Sequence, residues 1–310
     1  MSDRPSITST PVHTYIFLAA GLTMFAFAPI MVRMAGPDSD PVAITAIRTV
    51  SAFLMLLPFW LWQRYKQGSN RIHRTRQEIG WSALAGVFLA LHFTLWIGSL
   101  FYTSIASASV LVTIHPIMLI LVESTFLKKR FPVLSWLGVV GAFTGSLLLG
   151  ISDSGPSDTF ANPLLGNLMA LTASVFFVFY ILISQKIRKS SSWLDYVFTV
   201  YGFTALATLI IAVIMGVSLF QSTPTILSGI ALAIGASIIG HGAMNYAVKF
   251  ISATLLSTLI LAEPVFATLL GVAFFGEIPA FWSIVAMGGI MVGIFMTWWG
   301  RVKQAKEATQ

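Results

Sequence analysis

The chain has 310 residues, 56% hydrophobic and only 9% charged, with a formal net charge of +7 and a mean hydropathy of +0.85. A water-facing domain carries about 25% charged residues, so the composition excludes a sizeable soluble domain and points to membrane-crossing helices of roughly 20 residues each. Lys and Arg lie in short clusters between apolar runs, as topology signals and anionic-lipid contacts rather than a nucleic-acid surface. With no cysteine, disulfides and thiolate metal sites are excluded as well.

Met1 to Pro11 is short and polar, and residues 1–12 are expected as a cytoplasmic N-terminus. Ten apolar runs follow, near residues 13–35, 41–63, 78–100, 104–126, 132–151, 162–184, 193–216, 223–247, 252–275 and 279–300. The first is too long for a signal-peptide core and shows no cleavage site, so it reads as a retained span. The third and fourth runs nearly touch around Tyr102, and the eighth and ninth around Lys249, which predicts two tight helical hairpins.

Charges alternate from one connection to the next. Arg64, Lys66, Arg71, Arg74 and Arg76 follow the second run, and Lys128, Lys129 and Arg130 the fourth. Lys186, Arg188 and Lys189 follow the sixth, Lys249 the eighth, and Arg301, Lys303 and Lys306 the tenth. The other connections carry Asp38 and Asp40, then Asp153 and Asp158, then no charge, then Glu277. A positive-inside bias in every second loop predicts a multi-pass protein of the bacterial inner membrane with both termini in the cytoplasm.

An internal repeat is visible. A shift of 148 residues places Ser104 on Ser252, Ser109 on Ser257, Pro116 on Pro264, Gly141 on Gly289 and Gly145 on Gly293, without a gap. Five spans per half would make the halves enter the membrane from opposite sides, the architecture of secondary transporters. The expected fold is therefore an all-α membrane protein with ten transmembrane helices as two inverted five-helix repeats. The first repeat covers 13–151 and the second 162–300, with an extracytoplasmic linker at 152–161 and a cytoplasmic tail at 301–310.

The residues FAFAPIMVRMAG and PVAITAIRTVSAFLMLLP resemble the first two spans of the EamA family of the drug/metabolite transporter superfamily, with Arg48 in the second. Two further stretches, LALHFTLWIGSLFYTSIASASVLVTIHP (89–116) and GHGAMNYAVKFISATLLSTLILAEPVFATLLGVAFFGE (240–277), are similar to a bacterial subgroup. The Gly-Glu that closes the fourth run in many members is replaced by Lys128-Lys129-Arg130, while Gly276-Glu277 is kept. The resemblance implies a ten-helix monomer with a central cavity, alternating access and export of small metabolites. It supplies a class and not a ligand.

Ionisable residues in mid-membrane are costly and mark pathways or couplings. Glu263 lies near the middle of the ninth run before Pro264, opposite His115 and Pro116 in the repeat. Each proline leaves a carbonyl, that of Ile260 or Val112, without its usual donor and kinks its helix. Glu263 is either a proton carrier or a protonated acid that fixes the kink. His92 and Trp96 are four apart on the third run, and His241 and Asn245 on the eighth, so each pair shares a helix face. The stripes read as pocket lining, with Trp96 as a stacking wall, or as interhelical glue of about 0.6 kcal/mol per bond. Arg48, about two turns into the second span, has a position that favours snorkelling towards Asp38 or Asp40. Its alternatives are gating the outer mouth or attracting an anionic group. Gly141/Gly145 and Gly289/Gly293 permit close helix contact, within one chain or between two.

No nucleotide loop, zinc pair or other cofactor motif is present, and the histidine spacing matches no metal-ligand pattern. The expected partners are a small-molecule substrate, with amino acids as the leading class, and membrane lipid, with proton coupling through Glu263 and an open oligomeric state. An intramembrane hydrolase would need a G-x-S-x-G step that is missing, and a passive channel a repeated charged ring.

Overall fold

The computed structural model describes residues 12–67, 75–126, 128, 130–153, 160–250, 256, 260 and 263–307. The expected repeat positions Ser252 and Ser257, the basic residues Arg71, Arg74 and Lys129, and Asp158 lie outside these residues. Among the described residues, the regular elements are helices. They are α1 (Val12–Arg33), α2 (Pro41–Gln67), α3 (Arg76–Ser99), α4 (Ile105–Val112), α5 (His115–Thr125) and α6 (Val133–Asp153). After these come α7 (Pro163–Ile187), α8 (Trp193–Ile214), α9 (Thr223–Leu232), a π-helical segment (Ala233–His241), α10 (Gly242–Ala247), α11 (Glu263–Phe275) and α12 (Phe281–Glu307).

Among the described residues, eight helical stretches are long and apolar enough to cross a membrane, and two shorter apolar helices, Val133–Leu149 and Glu263–Phe275, accompany them. The fourth expected span is α4 and α5 together, and the eighth is α9, the π segment and α10 in one stretch. Helix starts are capped where the chain turns back into apolar surroundings, where an unmet N–H is costly. Thr75 and Glu78 form a reciprocal capping box, and the side chains of Ser104, Asn162 and Ser192 accept from Ser107, Leu165 and Asp195.

The 148-residue step superposes α1 on α7, α2 on α8, α3 on the α9–α10 stretch, α5 on α11 and α6 on α12. The start of α5 at His115 falls on the start of α11 at Glu263. Packing follows the same exchange. The contact of α3 with α7 recurs as α1 with the π segment and α10, that of α3 with α8 as α2 with α9, and that of α5 with α7 as α1 with α11. The pairs α2–α8 and α6–α12 map onto themselves.

The α6–α12 pair is a close backbone contact within the chain. A Cβ at Gly293 would lie 2.6 Å from the Gly138 carbonyl oxygen, and one at Gly145 would lie 2.8 Å from the Ile290 side chain. The Ser135 hydroxyl donates to the Thr297 carbonyl at 3.0 Å, and the Thr297 hydroxyl returns the bond to Ser135 at 3.2 Å. Of the four glycines expected at such a seam, Gly145 and Gly293 sit in it. Gly141 only reaches the Gly293 Cα at 4.0 Å, Gly289 has nothing within 4 Å, and Gly138 takes their place.

Candidate functional site

At the junction of the two halves a chamber is lined by Arg48 from α2, His92, Phe93 and Trp96 from α3, and Thr113 and His115 from the α4–α5 break. Phe177 of α7, Ala236 and His241 of the π segment, and Glu263 at the start of α11 complete the wall, with Phe25 and Ala28 of α1. About 460 Å³ is not filled by atoms, but only about 50 Å³ is open to the centres of water-sized molecules. At roughly 10–15 Å³ per water on that measure, the chamber in this state holds a few waters or one small polar group.

The α4–α5 break explains one wall. Pro116 lies in the first turn of α5, where its missing N–H leaves no helical bond unmade. The Val112 carbonyl it frees accepts from His115 Nδ1 at 3.3 Å. A carbonyl only accepts, so Nδ1 carries the proton, and a neutral ring then presents Nε2 as an acceptor. Nε2 is buried without a hydrogen-bond partner among the described residues. His92 is fixed in the same way, with Nδ1 on the Ala173 carbonyl at 2.9 Å, and its ring lies 6.1 Å from that of His241.

The π segment builds the opposite wall. Such segments displace side chains from the phase of an α-helix and recur at functional sites. Here Gly240 admits the ring of Phe25, since a Cβ would lie 2.5 Å from it. His241 is ringed by Phe25 and Phe93, each 5.0 Å away, and its Nδ1 has no hydrogen-bond partner among the described residues. Ser237, one turn earlier, receives Arg48 Nε at 2.8 Å on its hydroxyl, while its carbonyl accepts from the Tyr201 hydroxyl at 2.8 Å.

Arg48 does not snorkel towards Asp38 or Asp40. It is 1% exposed, with its guanidinium 3.6 Å over the ring of Phe93 and 5.9 Å from Trp96. The physical reason is that a partner hydroxyl, Ser237, and the aromatic face of Phe93 lie within reach, and a desolvated cation over a ring gains about 2 kcal/mol. Arg48 Nη1 and the indole Nε1 of Trp96 are buried without hydrogen-bond partners among the described residues. Glu263 is 8% exposed and also borders a hollow between α1 and α11 lined by Thr23, Phe27 and Phe266.

The structure thus brings Arg48, His92, Trp96, His115, His241 and Glu263 to one chamber. Asn245 is not among its lining residues. Its amide donates to the Tyr180 hydroxyl at 2.5 Å, and its backbone carbonyl accepts from Arg188, so it stands behind Tyr180. Pro264 starts α11 as Pro116 starts α5. Sequence reasoning missed Ser237 and Phe177, whose ring lies 4.8 Å from His115; it placed Phe93 in a pocket with Trp96 but not beneath Arg48.

It also missed two polar clusters away from the chamber. Arg33 faces Glu277 at 3.3 Å and donates to the Thr103 carbonyl, while Glu277 accepts from the Ile105 N–H at 2.8 Å. Arg64 faces Asp195 at 3.2 Å, and Asp195 also accepts from Trp60 and Ser192. Each cluster joins the two halves, and the signal available was opposite charges on run ends that the topology brings to one level.

The profile of the EamA-like transporter family matches residues 13–151 and again 164–299. The chain is similar to the uncharacterized transporter YwfM of Bacillus subtilis, 30% identical over 278 residues, 86% of this chain and 87% of that one. An uncharacterized transporter of Clostridium kluyveri is 24% identical over 90% of this chain and 91% of its own. The uncharacterized transporter YdfC of Bacillus subtilis matches a shorter stretch, 26% identical over 59% of this chain, which spans 60% of that relative. A solved crystal structure superposes with a TM-score of 0.63 at 18% identity, covering 94% of this chain and 99% of that one, a likeness of fold.

Proposed function

The chain belongs to the EamA-like transporter family, and from that premise we propose that it is a secondary active transporter exporting small metabolites, amino acids among them, by alternating access. In this reading, ten spans form two oppositely inserted halves in a bacterial inner membrane, with both termini in the cytoplasm. The Arg33–Glu277 end then faces outward and the Arg64–Asp195 end inward. The observation that carries the reading is the polar chamber between the halves, with Arg48, His92 and His115 from one and His241 and Glu263 from the other. Midplane sites at a repeat interface are where transporters of inverted-repeat type bind substrate. The exchange of helix contacts between the halves supports the inverted arrangement.

Glu263 is the proton carrier in this account, because it is the acidic residue on the chamber wall and stands at a helix start beside a proline. The test is flux in proteoliposomes loaded with a pH dye, comparing wild type with Glu263→Gln across amino acids, small aromatic metabolites and cationic drugs. The expected result is saturable, substrate-dependent proton movement that the variant loses. Saturable flux untouched by Glu263→Gln would remove coupling from that residue. Flux without counterflow would replace the transporter by a channel.

A further inference from the structure

We infer that the free edge of Arg48 and the indole N–H of Trp96 form a carboxylate subsite in the chamber, so that the cargo is a small organic acid or zwitterion bound by its carboxylate. The inference rests on the transport reading and deepens it.

The geometry of Arg48 carries the argument. A guanidinium has two faces for stacking and an edge of N–H donors in one plane. One face is taken by Phe93 at 3.6 Å, and Nε is taken by the Ser237 hydroxyl at 2.8 Å. These two contacts hold the group still and leave Nη1 buried in the chamber wall without a hydrogen-bond partner among the described residues. An oxyanion in the guanidinium plane is the acceptor that this edge fits best.

Trp96 supplies the second observation. Its indole N–H can only donate, is buried without a hydrogen-bond partner among the described residues, and lines the same chamber 5.9 Å from the Arg48 Cζ by its ring. Two stranded donors on residues of one chamber wall fit a ligand with two acceptor oxygens. Neither Arg48 nor Trp96 has an ion pair or hydrogen bond to Glu263, the acidic residue of the wall. The chamber's tightness, about 50 Å³ for water-sized centres, suits a headgroup of carboxylate size. Phe25, Phe93, Phe177 and His241 give the wall an aromatic part that suits the apolar body attached to it.

The experiment compares matched acids, amides and amines on the purified full chain. Leucine, leucinamide and isoamylamine form one series, and phenylalanine, phenylalaninamide and phenethylamine another, with inorganic phosphate added as a second oxyanion. Binding is read by ligand-induced thermal stabilisation and transport by counterflow in proteoliposomes. An acid should bind at least about tenfold more tightly than its amide or amine, since it alone offers a charged pair of acceptors. Arg48→Gln should erase that preference, and Trp96→Phe should reduce it in part while keeping the aromatic wall.

An amide or amine equal to its acid in wild type would overturn the subsite, and this comparison needs no variant to fold. Acid preference that survives in Arg48→Gln would also overturn it. Phosphate binding more tightly than every acid would assign the donors to a different anion class. Saturable counterflow of amines alone would leave the transporter standing without this subsite. An absence of counterflow for acids, amides, amines and cationic drugs alike would remove the transport reading itself.

Discussion

The ends of the bundle and its centre are both polar, but they are built in opposite ways. At the ends each guanidinium meets a carboxylate. Arg33 faces Glu277 with 19% and 14% of their side chains exposed, and Arg64 faces Asp195 with 22% and 9% exposed. Around each pair, backbone groups and hydroxyls take up further bonds. At the centre Arg48 rests on a ring and a serine with no carboxylate in ion-pair contact among the described residues, and Arg48, Trp96, His115 and His241 each keep a buried polar atom without a hydrogen-bond partner there; Arg33 Nε and Arg64 Nε also lack a hydrogen bond, but each of those guanidiniums faces its carboxylate. Matched groups hold a shape, whereas unmatched groups in a membrane interior are costly and mark function. In the proposed reading, the difference separates residues that join the halves from residues that would meet the cargo.

Substitutions can break this contrast in both directions. Arg48→Met should show the largest effect, a loss of flux of roughly a hundredfold, while the melting temperature in detergent stays level or rises because a lone buried cation is removed. A parallel fall in stability and flux would place Arg48 with the structural groups. Asp195→Ala should do the reverse. It strands Arg64, Trp60 and Ser192 and should lower stability by about 2 kcal/mol, measured by thermal unfolding, with substrate affinity of the folded fraction unchanged.

Glu277→Gln is a smaller change of the same kind. The pair is partly exposed, so about 1 kcal/mol is expected, together with freer movement at that end. The chain has no native cysteine, so a single Phe101→Cys beside Arg33 reports on it, and maleimide labelling there should speed up several-fold in the Glu277→Gln background. Ser237→Ala should have the smallest effect. It leaves Arg48 Nε without its hydroxyl partner, and should raise the half-saturation constant a few-fold and cost about 1 kcal/mol of stability.

Much of this was legible in the sequence where physics leaves few choices. The apolar runs became helices because a run of about 20 apolar residues meets its own backbone bonds in a bilayer as a helix, and the His115-Pro116 and Glu263-Pro264 steps became helix starts because proline removes a donor. His92, Trp96 and His241 were legible as inward-facing because a polar stripe towards lipid is expensive. Arg48 was not, since its distance from the membrane boundary allows both snorkelling and burial. Only the third dimension shows Phe93 beneath it, one of 24 phenylalanines. Ser237 was hidden by the π segment, which shifts the helix out of the 3.6-residue period that sequence reading assumes. Asn245 shared a face with His241 by spacing, yet the Tyr180 hydroxyl claims its amide. The seam glycine Gly138 was obscured by its neighbour Gly141, three residues on and only grazing the contact.

The central claim is that the chamber is where the cargo sits during transport. The most direct measurement is substrate protection of a single cysteine at Thr113, on the chamber wall, in proteoliposomes that carry out counterflow. A transported compound should slow maleimide labelling of Thr113→Cys in proportion to its half-saturation constant, and should leave labelling at Phe101→Cys unslowed. Saturable counterflow with labelling at Thr113→Cys unchanged by the transported compound would contradict the account and place the cargo elsewhere.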